Sequence, residues 1–136
     1  MLANFAKVHL GGEKNMYRIA ICDDDLVFGS LLEQYLQNFA KTRRIPIDVL
    51  VFARGEEYLE FLIEEFPVDL IFLDIQFEKG LDGVQIGKEL RADIKNEMTQ
   101  IIYISGIESY AMQLFQNRPM DFLVKPLKQE RVDHIM

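Results

Sequence analysis

Aspartate occupies three consecutive positions, Asp23, Asp24 and Asp25, directly after the apolar run "YRIAIC". A helix start uses one capping side chain, and Asp25 is placed to be that cap, just before helical spacing begins. Capping leaves Asp23 and Asp24 unexplained, and each raises the cost of ionising the other. Three more polar residues follow apolar runs: Asp74 after "LIFL", Ser105 after "IIYI" and Lys125 after "DFLV". Carboxylates brought close together need a cation, and an all-oxygen ligand set suits Mg2+ (or Mn2+), which keeps waters and takes few protein ligands. An Asp beside such a cation can attack a phosphoryl group to form an acyl phosphate. The cation and an ammonium then neutralise the equatorial oxygens, while a hydroxyl donates to one of them. Asp74 has the right chemistry for the acceptor, Lys125 for the ammonium and Ser105 for the hydroxyl.

Each residue also has a plainer use. Asp74 could close a strand, Ser105 with Gly106 could form a polar turn, and Lys125 could be solvated. Pro126 keeps Lys125 extended, because the residue before proline avoids the helical region. What gives the set weight is where the elements must place it.

From Tyr17 onward short apolar runs alternate with helical spacing. The runs "YRIAIC" (17–22), "IDVLVF" (47–52), "VDLIFL" (68–73), "QIIYI" (100–104) and "DFLV" (121–124) have the length and β-branched or aromatic content of strands. Between and after them lie five helical stripes. They are Phe28, Leu32, Tyr35 and Phe39; Tyr58, Leu59, Leu62 and Phe66; Val84, Gly87, Leu90 and Ile94; Ile107, Ala111, Leu114 and Phe115; and Val132 with Ile135 in a segment starting at Leu127. All five read as core-facing sides of helices. Strict alternation with short connections requires right-handed crossovers, hence a five-stranded, doubly wound α/β domain with a parallel sheet covered on both faces. In such a sheet ligands collect at the carboxyl ends of the strands. Strands 1, 3, 4 and 5 deliver the three aspartates, Asp74, Ser105 and Lys125 to that rim, whereas strand 2 ends in "ARG" and is expected to add nothing comparable.

Composition narrows the function classes. The 136 residues suit one domain, and the net charge of −7 and pI near 4.8 argue against direct nucleic-acid binding by this chain, which needs clustered Lys and Arg. No apolar run approaches the roughly 20 residues of a membrane span, and "MLANFAKVHLGGEKN" has no sustained apolar stretch of a secretory signal. The lone Cys22 ends a buried-looking strand and excludes a disulfide framework, so a cytoplasmic location and plain packing are expected. His9 and His134 lie far from other ligand types, without zinc spacing. Residues 1–15 read as a leader or extension outside the fold, which then occupies 16–136. The fifth helix reaches Met136 with no stop signal, which raises the expectation of a fold cut inside that helix and a further domain beyond it.

The pieces "IAICDDD", "DLIFLDIQ" with "LDGVQIGKELR", "IIYISG" and "DFLVKPL" together resemble the receiver domain of bacterial two-component response regulators over residues 16–136. The resemblance implies a flavodoxin-like strand order 2-1-3-4-5. It implies Asp74 as phosphoacceptor, and Asp23 and Asp24 as the acidic pair holding Mg2+ with Asp74 and the backbone carbonyl of Gln76. Ser105 and Lys125 would follow the phosphoryl group, and Phe122 stands at the family's switch aromatic, here without a hydroxyl. The Lys125–Pro126 bond is typically cis in the family, and Gln76 and Ile107 lie near positions that tune the phosphoryl lifetime. A sensor histidine kinase is the implied donor, and a homodimer formed on activation is compatible with the family. The phrases "LDIQ", "YAMQLFQ" and "DFLVKPL" further resemble receivers joined to LytTR-type DNA-binding output domains. One departure is the loop "DIQFEKGLDG", which lacks the family's usual proline and is one residue longer.

Two other readings compete. "ICDDDL" contains Asp-x-Asp after a strand, as in haloacid-dehalogenase-type phosphatases, with Asp23 as nucleophile and Asp25 as general acid. That reading lacks the late acidic pair and leaves Asp74 without a task. A degenerate receiver serving only as a binding module would not need the full set of Asp23, Asp24, Asp74, Ser105 and Lys125.

Overall fold

The computed structural model describes residues 16–64, 68–77, 80–93, 98–106 and 118–136. Five strands form one parallel sheet: β1 (Tyr17–Cys22), β2 (Ile47–Phe52), β3 (Leu70–Asp74), β4 (Gln100–Ser105) and β5 (Asp121–Val124), in the order β2-β1-β3-β4-β5. This is the flavodoxin-like order. It follows from the apolar content of the central strands, since β1 and β3 must be covered on both faces and their side chains are almost all buried.

Four helices are described: α1 (Leu26–Arg43), α2 (Gly55–Glu64), α3 (Gly83–Lys88) and α4 (Gln129–Ile135). On one face Leu32, Leu36 and Phe39 of α1 meet Val132 and Ile135 of α4 over Ile19, Ile21, Phe72, Ile102 and Ile104. On the other, Tyr58 of α2 and Ile86 of α3 cover Cys22, Ile71, Leu73, Ile101 and Tyr103. Among the described residues, the first, second, third and fifth stripes read from the sequence lie on these core faces. None of the described helices is long and apolar enough to cross a membrane.

Several boundaries differ from expectation. β3 spans 70–74 rather than 68–73, because the Asp69 carboxylate, not a preceding main-chain carbonyl, accepts the Arg18 amide at 2.9 Å. Asp74 is thereby the last residue of the strand itself. α4 begins at Gln129, not Leu127; Leu127 is buried ahead of the helix, and Lys128 takes the N-cap position without a side-chain cap. The third stripe does not continue as plain α-helix: Glu89–Asp93 forms a π turn, which carries Arg91 inward to donate from Nη1 to the Thr99 carbonyl at 2.7 Å. The fourth stripe (107–115), Phe66 and Ile94 lie outside the described residues.

Candidate functional site

Register places the site. Cys22 is level with Leu73 and with Phe52, and Asp74 is level with Ile104, so Asp23 and Asp74 leave adjacent strands at the same rim. Asp23, Asp74 and Ser105 are only 0, 5 and 2 % exposed. One carboxylate oxygen from each of Asp23, Asp24 and Asp74 lies within 4.8 Å of the others. Lys125 enters from the end of β5, where its amide donates to the Ser105 carbonyl at 2.8 Å and its peptide to Pro126 is cis. Its ammonium sits 2.9 Å from Asp23 Oδ2 and 3.7 Å from Asp74 Oδ1.

The three aspartates divide as their chemistry suggests. Asp25 Oδ1 accepts the Phe28 amide at 3.0 Å, so Asp25 caps α1. Asp23 Oδ1 accepts the Asp25 amide at 2.8 Å, which fixes the buried carboxylate, and its Oδ2 faces the ammonium with no hydrogen bond of good geometry. A general-acid role for Asp25 has no support here, since its carboxylate is engaged at the helix start.

Charge at the rim is unbalanced. Burial first, and the Asp23 carboxylate second, push the Asp74 carboxyl up to about 7 against the pull of Lys125. Asp23, Asp24 and Asp74 make a hard-oxygen cluster in which the buried Asp23 Oδ2 faces the Lys125 ammonium. That donor set fits Mg2+ or Mn2+, with Asp23, Asp24 and Asp74 as the side chains able to hold it.

The β3–α3 connection shapes the other wall. Gln76, two residues past Asp74, is exposed. Gly83 opens α3 with its amide on the Ile75 carbonyl at 2.7 Å, and a Cβ there would strike the Asp74 carbonyl. Asp82 forms a capping box with Gln85, with reciprocal bonds of 2.8 and 2.9 Å. Glu56, just beyond the "ARG" end of β2, accepts the Leu81 amide at 2.7 Å and is held below the usual carboxylate range chiefly by that bond. Gly80, at φ +83°, turns the chain against the same carboxylate. The expectation that the end of β2 adds nothing holds for the acidic cluster but not for the wall: Glu56 ties down the loop that lacks the family's proline.

Phe122 is half-buried on β5, level with Tyr103 and on the α2/α3 face. Phe28 was read from the sequence only as a core residue; its ring also lies 4.3 Å from the Lys125 ammonium, over the ring face. A single sequence gives no signal for that contact or for Glu56.

The profile of the response regulator receiver domain matches residues 19–136. The chain belongs to the response regulator receiver family. Among curated relatives, this receiver is 34 % identical over 77 residues to the sensory transduction protein LytT of Oceanobacillus iheyensis, covering 57 % of the chain and 30 % of that protein. The Bacillus cereus protein of the same name is 28 % identical over 117 residues, covering 86 % of the receiver and 44 % of the relative. The chain thus spans less than half the length of these relatives. Among solved structures, the response regulator TrrA of Thermotoga maritima, in complex with Mg2+–BeF, superposes with a TM-score of 0.68 at 26 % identity, covering 89 % of the receiver and all (100 %) of that chain. The receiver domain of NtrX from Brucella abortus shares the fold with a TM-score of 0.72 at 22 % identity, covering 86 % of this receiver and 92 % of its own chain.

Proposed function

We propose that this receiver is a phosphorylation-controlled switch in which Asp74 accepts a phosphoryl group from a phosphohistidine of a sensor kinase. One observation carries the reading: a buried aspartate at the end of β3 shares its rim with Asp23, Asp24 and the Lys125 ammonium. An Asp74 oxygen attacks phosphorus, the P–O bond forms, and the P–N bond to the donor histidine breaks with its electron pair going to the ring nitrogen. A bound Mg2+ would supply positive charge to the phosphoryl oxygens and favour the ionised carboxylate. Lys125, already between Asp23 and Asp74, pairs with a second phosphoryl oxygen, and the Ser105 hydroxyl donates to a third. The phosphoryl group, carrying about −1.5 to −2 in place of the single carboxylate charge, shifts the population between two states of the surface around β5, with Phe122 as the ring that follows Ser105. Water attack on the acyl phosphate resets the switch. The main-chain carbonyl of Gln76 would complete the protein's metal contacts.

The relatives named LytT, together with the "DFLVKPL" phrasing, support a LytTR-type DNA-binding output as the partner of residues 16–136; the reading takes transcription control in the cytoplasm as its setting and a homodimer as the activated form.

Asp74→Asn is the decisive variant. Incubated with acetyl phosphate and Mg2+, the native chain gains the mass of one phosphoryl group and the variant gains none. Labelling of the variant at Asp23 would establish the phosphatase reading instead, and failure of the native chain to bind phosphate or beryllofluoride would establish a binding module.

A further inference from the structure

We infer that Phe28 is a positioning residue for phosphoryl transfer, its ring face holding the Lys125 ammonium at the point where phosphoryl oxygens arrive. The inference rests on the proposed role of Asp74 and Lys125. Among the described residues, three groups lie against the ammonium: Asp23 Oδ2 at 2.9 Å, Asp74 Oδ1 at 3.7 Å and the Phe28 ring centroid at 4.3 Å. Two of them are candidate metal ligands, so they would serve the ammonium and a cation at once. The ring is the third and competes with neither, because the negative face of an aromatic ring attracts a cation without offering a metal a hard oxygen. With the Lys125 side chain about a quarter exposed (24 %), an ammonium released by the carboxylates would otherwise turn to water.

The ring is held in place by main-chain bonds that start at the acidic site itself. Asp23 Oδ1 accepts the Asp25 amide, and Asp25 Oδ1 in turn accepts the Phe28 amide. The third aspartate of "DDD" therefore does more than begin α1: it sets Phe28 at a fixed distance from the buried Asp23 carboxylate. Phe28 is also half-buried against the α1/α4 core, which limits its rotation.

Phe28→Leu and Phe28→Tyr test this. Ring current shifts protons over an aromatic face upfield, so the Lys125 ε-methylene protons are expected upfield in the native chain and in Phe28→Tyr, and at ordinary positions in Phe28→Leu. Beryllofluoride binding at saturating Mg2+ is expected to weaken roughly fivefold in Phe28→Leu, the size of one partly buried cation–π contact, and to return in Phe28→Tyr. Mg2+ affinity without beryllofluoride should not fall, which separates lost positioning from a damaged site. Unshifted Lys125 resonances in the native chain, or native beryllofluoride affinity in Phe28→Leu, overturns the inference while leaving the role of Asp74 intact. Absence of beryllofluoride binding by the native chain overturns both.

Discussion

β3 begins beside one buried aspartate and ends on another, and the two ends of the strand treat them differently. Asp69 and Asp74 are 7 and 5 % exposed, so burial does not distinguish them. Asp69 accepts the Arg18 amide at 2.9 Å, while its own amide donates to the Arg18 carbonyl and its carbonyl accepts the Gln100 amide. Nearby, Thr99 Oγ1 donates to the Val68 carbonyl at 2.6 Å and Arg91 to the Thr99 carbonyl. Fixed main-chain groups thus answer the polar atoms at that end. At the opposite end Asp74 meets two more carboxylates and one ammonium on a flexible stem. The difference teaches that a buried acid becomes a reactive site when its charge is left to something that can come and go.

Exchanging each acid for its amide separates the two ends most sharply. Asp74→Asn abolishes phosphoryl uptake and, by removing a like charge, raises the stability of the metal-free fold near neutral pH. Asp69→Asn leaves uptake intact and lowers stability by about 0.5–1.5 kcal/mol in urea denaturation, because a charged acceptor for the Arg18 amide becomes a neutral one. If both variants lowered stability equally and both retained uptake, the contrast would fail.

Proton competition gives a smaller and graded effect. Asp74 is raised from 3.8 to about 7 in the fold, so between those values the folded state binds the extra proton. Metal-free stability from this group is therefore full below about pH 4 and is lost as pH rises through about 7. Mg2+ must displace the same proton, so its affinity should rise close to tenfold per pH unit below about 7 and level off above it. Calorimetry in buffers of different ionisation enthalpy reads the released proton directly, and a pH-independent affinity would sink the idea. Mg2+ should also flatten the stability profile over that window.

A steric comparison, without effect on charge, sets the two walls of the site against each other. Gly83→Ala pushes a methyl into the Asp74 carbonyl and should cost about 1–3 kcal/mol as α3 shifts. Gly106→Ala meets nothing within 4 Å and should change thermal stability by less than about 0.5 kcal/mol. A reversal of that order would mean that β4, not β3, carries the tight wall.

Much of this site was legible because a parallel βα alternation brings all strand ends to one edge whatever the tertiary detail. Asp23, Asp74, Ser105 and Lys125 therefore had to share a rim once the five runs were read as strands. The cap role of Asp25 was legible from local chemistry. Glu56 was not, because its partner is the Leu81 amide 25 residues away and a backbone amide leaves no mark in the sequence. Phe28 was hidden differently: one side chain serves both the α1 stripe and Lys125, and periodicity reports only the first use. The π turn at Glu89–Asp93 escaped because one extra residue per turn is driven by the reach of Arg91 to Thr99, a tertiary contact. β3 was placed two residues too early for a similar reason, since Asp69 is apolar neither in type nor in environment.

The chain's one thiol, Cys22, lies at the end of β1, enclosed on every side, and burial together with the neighbouring aspartates pushes it far above the ordinary cysteine range. In the closed sheet it is inert to alkylating reagents, since the thiolate is the reacting form. Capture of that thiol consequently counts the moments when β1 parts from its neighbours, giving the molecule an internal clock for opening that needs no added label.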